Sequence, residues 1–122
     1  MSTTEGAVPL PGALVVLFAS PLWYANAVHF REEIDGALAR AAERPSLVVL
    51  DTLGMTDIDY TGTRALRRVL DELHRDGIEV AMARAGSHLR QGLVRSGLFE
   101  QVGAAHFYPS VDEAITALGS KG

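Results

Sequence analysis

Apolar positions along the chain recur at two spacings, and the alternation between them predicts the elements. Ala13-Leu-Val-Val-Leu-Phe18 is a short aliphatic run closed by Ser20-Pro21, which predicts a buried strand, and Leu22-Trp23-Tyr24 reads as a second, shorter one. Phe30, Ile34, Ala37, Leu38 and Ala41 then recur at helical spacing, with Asn26 placed to cap a helix running from Ala27 to Ala42, ahead of Pro45. Leu47-Val-Val-Leu50 has no polar alternation, as expected for a central strand covered on both faces. From Gly62 the stripe Leu66, Val69, Leu70 and Leu73 predicts a second helix that stops at Gly77. Ile78 to Ala83 follows as a strand, Leu89 to Ser96 as a short helix, Ala105 to Tyr108 as a last strand, and Val111, Ala114, Ile115 and Leu118 as a closing amphipathic helix.

Strands separated by helix-length segments imply a largely parallel sheet, because parallel strands need a crossover and a helix supplies one. The fold class is therefore α/β: one small sheet of about five strands with about four helices around it. A length of 122 residues, with 48% of them apolar, suits one domain with one sizeable core. Residues 1–11, with Pro9 and Pro11, read as a flexible leader, and residues 12–122 as the single domain.

Fifteen acidic against eleven basic residues leave a net charge of −4, the wrong sign for a protein that covers nucleic-acid phosphates. With no cysteine, disulfides, thiol nucleophiles and thiolate metal sites are excluded. The longest apolar run, Ala13 to Ala19, falls far short of the roughly 20 residues that span a bilayer, and no basic start leads into an apolar core as in a secretory signal. A cytoplasmic domain without direct membrane insertion is the expectation.

Most chemical signatures are missing. His29, His74, His88 and His106 stand far apart, without the spacing of a zinc site. Gly92-Leu-Val-Arg-Ser-Gly97 has P-loop glycine spacing, but Leu98 and Phe99 stand where Lys and Ser/Thr would bind phosphate and magnesium. No nucleophile elbow and no dinucleotide fingerprint occur, so no catalytic residue, resident metal or cofactor is predicted. The informative stretch is Asp51-Thr-Leu-Gly-Met-Thr-Asp57-Ile-Asp59-Tyr-Thr-Gly62, which sets three carboxylates between a buried strand and a helix start. Asp51 falls at the carboxyl end of its strand, where open α/β sheets gather ligands, and Gly54 suits a turn with positive φ. Asp59 and Thr61 meet the free amides of a helix opening at Gly62. The same acids also fit a helix cap and two turn residues, three oxygen ligands for magnesium without an identifiable fourth, or an Asp51–Asp59 acid–base pair without the apolar pocket such a pair needs.

This stretch resembles the STAS domain, the family shared by sulfate transporters and anti-sigma-factor antagonists, in which an Asp-x-[Ser/Thr]-Gly step opens a helix after a strand and loop. Three further stretches agree: Gly12 to Phe30, with its aromatic-Ala-Asn-Ala step; Leu93-Val-Arg-Ser-Gly-Leu-Phe99; and Ser110-Val-Asp-Glu-Ala114. The first is similar to the branch of SulP-type anion transporters. The resemblance implies a mixed, mainly parallel sheet whose N-terminal strand breaks the parallel pattern. It also implies a non-catalytic interaction module: the cytosolic regulatory domain of a SulP-type sulfate transporter, or alternatively a stand-alone anti-sigma-factor antagonist in a kinase circuit. The implied partner is the membrane part of a transporter or another regulatory protein, with an anion or nucleotide as a weak candidate ligand. The implied contact loop comprises Asp51, Asp57, Asp59, Tyr60, Thr61 and Gly62. In the antagonist branch the residue after the motif's Asp is a phosphorylated Ser or Thr; here it is Tyr60, while Thr61 reads more simply as a helix cap.

Charge adds one independent feature. Between Arg64 and Arg95 lie seven arginines against four acids, although the whole chain is acidic. Arg64, Arg67, Arg68 and Arg84 are the candidates for a local basic face that attracts an anionic ligand or an acidic partner.

Overall fold

A computed structural model describes residues 6–119. A five-stranded sheet lies at its centre, with the strands side by side in chain order: β1 (Gly6–Leu10), β2 (Ala13–Leu17), β3 (Leu47–Asp51), β4 (Glu79–Ala83) and β5 (Phe107–Tyr108). β1 pairs antiparallel with β2 and every later pair is parallel. The helices are α1 (Ala27–Arg40), α2 (Tyr60–Arg75), α3 (Ser87–Ser96), α4 (Leu98–Val102) and α5 (Val111–Leu118).

β3 is buried at all five residues. Successive side chains of a strand point to opposite faces, so an unbroken apolar run needs cover on both. Leu14, Val16, Phe18, Val48, Leu50 and Met82 pack on one face against Phe30 and Ile34 of α1, Leu66, Val69, Leu70 and Leu73 of α2, and Leu89 and Leu93 of α3. On the other face Ala13, Leu47, Val49, Ala81 and Ala83 meet Ala114 of α5. The smaller residues there let a single helix lie close over the middle of the sheet.

Four details depart from the sequence reading. Residues 6–10, assigned to the leader, form strand β1, which turns at Pro11-Gly12 and pairs along its whole length with β2; residues 1–5 lie outside the described region. Leu22-Trp23-Tyr24 is not a strand, because only Leu22 makes a β-bridge, to Ile58, before the chain turns into α1. The expected strand at Ala105–Tyr108 shortens to Phe107–Tyr108 behind a 3₁₀ turn at Ala104–His106. Leu98–Val102 is an extra helix, separated from α3 by Gly97 at φ 82°, a left-handed turn that glycine takes without a Cβ clash.

Candidate functional site

Asp51 ends β3 and is 6% exposed. Its carboxylate receives Arg84 in a two-pronged contact, Nε to Oδ1 at 3.0 Å and Nη2 to Oδ2 at 2.6 Å, and also accepts from the Leu53 amide at 3.3 Å. Arg84 follows the adjacent strand β4 with φ 61°, the left-handed region that few side-chain-bearing residues occupy. Donating to the Asp51 carboxylate pushes the Arg84 guanidinium still higher than the usual arginine value. Arg84 is thereby removed from the expected basic face: it serves as a clip across the carboxyl ends of β3 and β4. Thr52 closes the same end, its hydroxyl and amide both donating to the Ala83 carbonyl at 2.9 Å.

The remaining carboxylates bind neighbouring chain. Asp57 accepts from the Ile58 amide at 2.8 Å and lies 3.2 Å from His88. Asp59 caps α2, with Oδ1 accepting from the Gly62 amide at 2.7 Å, and Oδ2 reaches the Tyr24 amide at 3.0 Å. The cap is therefore Asp59, and Thr61 lies exposed within the first turn of α2. The Leu22 amide donates to the Asp57 carbonyl at 2.9 Å while the Leu22 carbonyl accepts from the Asp59 amide at 3.2 Å, so the loops before α1 and α2 are stitched together. Two glycines allow this approach. A Cβ on Gly62 would lie 2.1 Å from the Leu22 carbonyl oxygen, and one on Gly54 would lie 2.7 Å from the Ala19 Cα. Gly54 is thus required by close backbone contact, not by the positive φ expected from sequence. Among the described residues no three His, Asp or Glu side chains come together as a metal-binding group would require.

Asn26 stands at the cap position of α1 but makes no side-chain cap. Its amide group donates to Ser20 Oγ at 3.1 Å and to the Pro21 carbonyl at 2.7 Å, and its Oδ1 accepts from the Trp23 amide at 2.9 Å. The aromatic-Ala-Asn-Ala step therefore folds residues 20–26 into a self-bonded loop stitched to the Asp57–Asp59 loop.

The STAS domain model matches residues 7–114, almost all of the described structure. The chain belongs to the STAS domain family. A probable sulfate transporter of Mycobacterium tuberculosis is 33% identical over 111 residues, which is 88% of this chain and 19% of that protein. The chain thus spans about a fifth of the length of the curated relatives it matches. The structure of a SulP transporter STAS domain from Vibrio cholerae superposes with a TM-score of 0.73 at 26% identity, covering 93% of this chain and 85% of that one. A putative anti-sigma factor antagonist from Thermotoga maritima shares the fold, with a TM-score of 0.79 at 15% identity and 94% of each chain covered.

What this STAS domain presents at the stitched loops is aromatic and basic. Tyr24 is 74% exposed, Tyr60 75%, Val28 67% and Trp23 44%, all at the starts of α1 and α2. Tyr60 is expected from sequence, whereas Trp23 and Tyr24 are hidden there by their strand-like apolar run; the signal for them is the Ser-Pro breaker before and Asn26 after, which together make a loop. On α2, Arg64 lies over the Tyr60 ring at 5.9 Å, and Arg67, Arg68 and Arg75 share an open groove with Asp71 and Glu72. Arg67 Nη2 donates to the Ser96 carbonyl, which fixes it to the end of α3. Arg64 and Arg68 are the members of the expected basic face left to meet solvent or a ligand. No helix among the described residues is long and apolar enough to cross a membrane.

Proposed function

We propose that this STAS domain is a non-catalytic, cytosolic regulatory module of a SulP-type sulfate or other anion transporter, and that it docks through the surface around Tyr60. The observation that carries the reading is Tyr60 itself. It stands directly after the capping Asp59 and turns 75% of its surface to solvent. A large aromatic side chain exposed to that degree suits the anchor of an interface, because it brings much contact area at low conformational cost. A phenol cannot replace a serine in a Ser/Thr kinase site, since the ring holds its hydroxyl several ångströms further out. Support for the transporter branch comes also from the 33% identity to a mycobacterial protein described as a probable sulfate transporter. Asp51 and Asp59, the pair that acid–base catalysis would use, are engaged with Arg84 and with two backbone amides respectively.

The test is binding of the domain to the membrane part of its transporter. Tyr60→Ala should leave the melting temperature unchanged and weaken the contact about tenfold or more, as loss of an interface anchor does. A variant that binds as the parent does removes Tyr60 from the interface.

The second reading, a stand-alone anti-sigma-factor antagonist, is supported by the fold shared with the Thermotoga protein. Incubation with anti-sigma kinases and ATP, followed by intact mass, separates the two: a phosphate mapped to Thr61 with loss of kinase binding establishes the antagonist role. A reading frame continuing upstream into hydrophobic spans establishes the transporter role.

A further inference from the structure

Between α1 and α2 lies a cavity of about 210 Å³ lined by Val28, Arg31, Thr61, Arg64 and Arg68, with Ala27 and Ala65 at its wall. Three arginines line one small cleft in a chain of net charge −4, and no carboxylate is among the residues lining it. Gathering like charges is unfavourable unless something of opposite sign joins them.

Their other partners do not account for the arrangement. Arg31 reaches Glu72 by Nη2 at 3.5 Å, but its Nε is shut away from water with no hydrogen-bond acceptor. A buried donor without an acceptor costs about 1–3 kcal/mol, so native structures supply one, from protein, water or an ion. Arg64 lies over the Tyr60 ring, and among the described residues neither Arg64 nor Arg68 has an ion pair or a hydrogen bond. Both helices begin at this end, and their amide dipoles add positive potential there.

We propose that this cleft binds a small tetrahedral oxyanion of the sulfate or phosphate class, received by Arg31, Arg64 and Arg68 and by the Thr61 hydroxyl. The planar guanidinium suits such an anion because its paired N–H groups match adjacent oxygens, and three of them together with a hydroxyl supply donors from several directions. A volume of about 210 Å³, below the roughly 300 to 1,000 Å³ of clefts for drug-sized ligands, suits an inorganic anion. The inference rests on the cleft alone and holds whichever partner the Tyr60 surface meets.

Sulfate titrated into the full chain, followed by amide and arginine Nε nuclear magnetic resonance, tests it. Saturable shifts are expected at Val28, Thr61 and the Arg31 Nε, with chloride at matched ionic strength unable to reproduce them. Arg68→Gln should weaken sulfate binding about tenfold, the loss of one charge-assisted contact, while the domain melts as before. Thr61→Val should weaken it less, and Arg75→Gln, on the same helix outside the cleft, should not weaken it. Equal shifts with chloride, or equal weakening by Arg75→Gln, would reduce the effect to charge screening and overturn the proposal. Inorganic phosphate and glycerol phosphate form the second arm: comparable binding of sulfate and phosphate supports a free oxyanion, whereas much tighter binding of the organic phosphate reassigns the cleft to a phosphorylated ligand and overturns it as stated.

Discussion

Replacing Gly62 by alanine should destabilise the domain, against the rule that alanine improves a helix interior. The rule is worth about 1 kcal/mol in favour of Ala. Against it stands the Leu22 carbonyl, whose oxygen would be 2.1 Å and carbon 2.8 Å from the new methyl, and which is backbone and cannot rotate aside. Relief requires the loop carrying Leu22 to withdraw by about 1 Å, which breaks its bonds to Asp57 and Asp59 and strains the Tyr24 amide held by Asp59. Three hydrogen bonds at about 1 kcal/mol each, together with about 1–3 kcal/mol of overpacking and less the helix gain, leave a net loss of about 3–5 kcal/mol. For a domain of this size that lowers the melting temperature by about 12 °C or more. Gly36 in α1 is the control, since a Cβ there would meet only the flexible end of Arg40, at 3.0 Å. Gly36→Ala should raise the melting temperature by a few degrees, following the ordinary propensity. Thermal denaturation of the two variants side by side decides the matter: a Gly62→Ala protein as stable as the parent would show that the two loops are not in fixed contact.

Val48 is fully buried in the central strand, and Val48→Asp should cost about 4 kcal/mol or more and abolish cooperative unfolding; a persisting sharp transition would displace β3 from the core. Asn26→Ala and Asn26→Asp should lose similar stability, about 1–2 kcal/mol each, because aspartate keeps an acceptor for the Trp23 amide but turns an oxygen toward the Pro21 carbonyl. An Asp variant close to the parent, measured by urea unfolding, would restore the capping role read from sequence. Arg84→Ala and Asp51→Asn should each destabilise and the double variant should lose less than their sum, a coupling of about 1–2 kcal/mol that additive losses would disprove.

The parts of the fold legible in the sequence were those written as local periodicity. β3, α2 and α5 follow from apolar spacing alone, and the parallel sheet follows from their alternation. What escaped depends on distant partners. β1 has exposed Val8 and Leu10 and two prolines around it, and it is a strand because β2 supplies a pairing edge. Asp51 sat visibly at a strand end, but its bond to Arg84 crosses 33 residues and joins two strands that become neighbours only after folding. Asn26 illustrates the limit: its helix-cap position was right, and its hydrogen bonds run backwards along the chain instead. Arg31 lies in α1 and carried no motif, so its approach to Arg64 and Arg68 appears only once the two helices pack.

The rims of the sheet bear on how this protein behaves in a crowded solution. An open strand edge invites a second chain to add itself, and from such additions ordered aggregates grow. Here one rim is β5, only two residues long, and the other is β1, with Pro9 in the middle of its five residues. Proline has no N–H to offer an incoming chain, and two residues give that chain little to hold. Among the described residues both rims are therefore poor templates for an incoming strand, even though Val8 and Leu10 are exposed along that edge. Exchanging Pro9 for valine would supply the missing N–H and lengthen the run of β-forming side chains, turning the quiet rim into a seed for self-association.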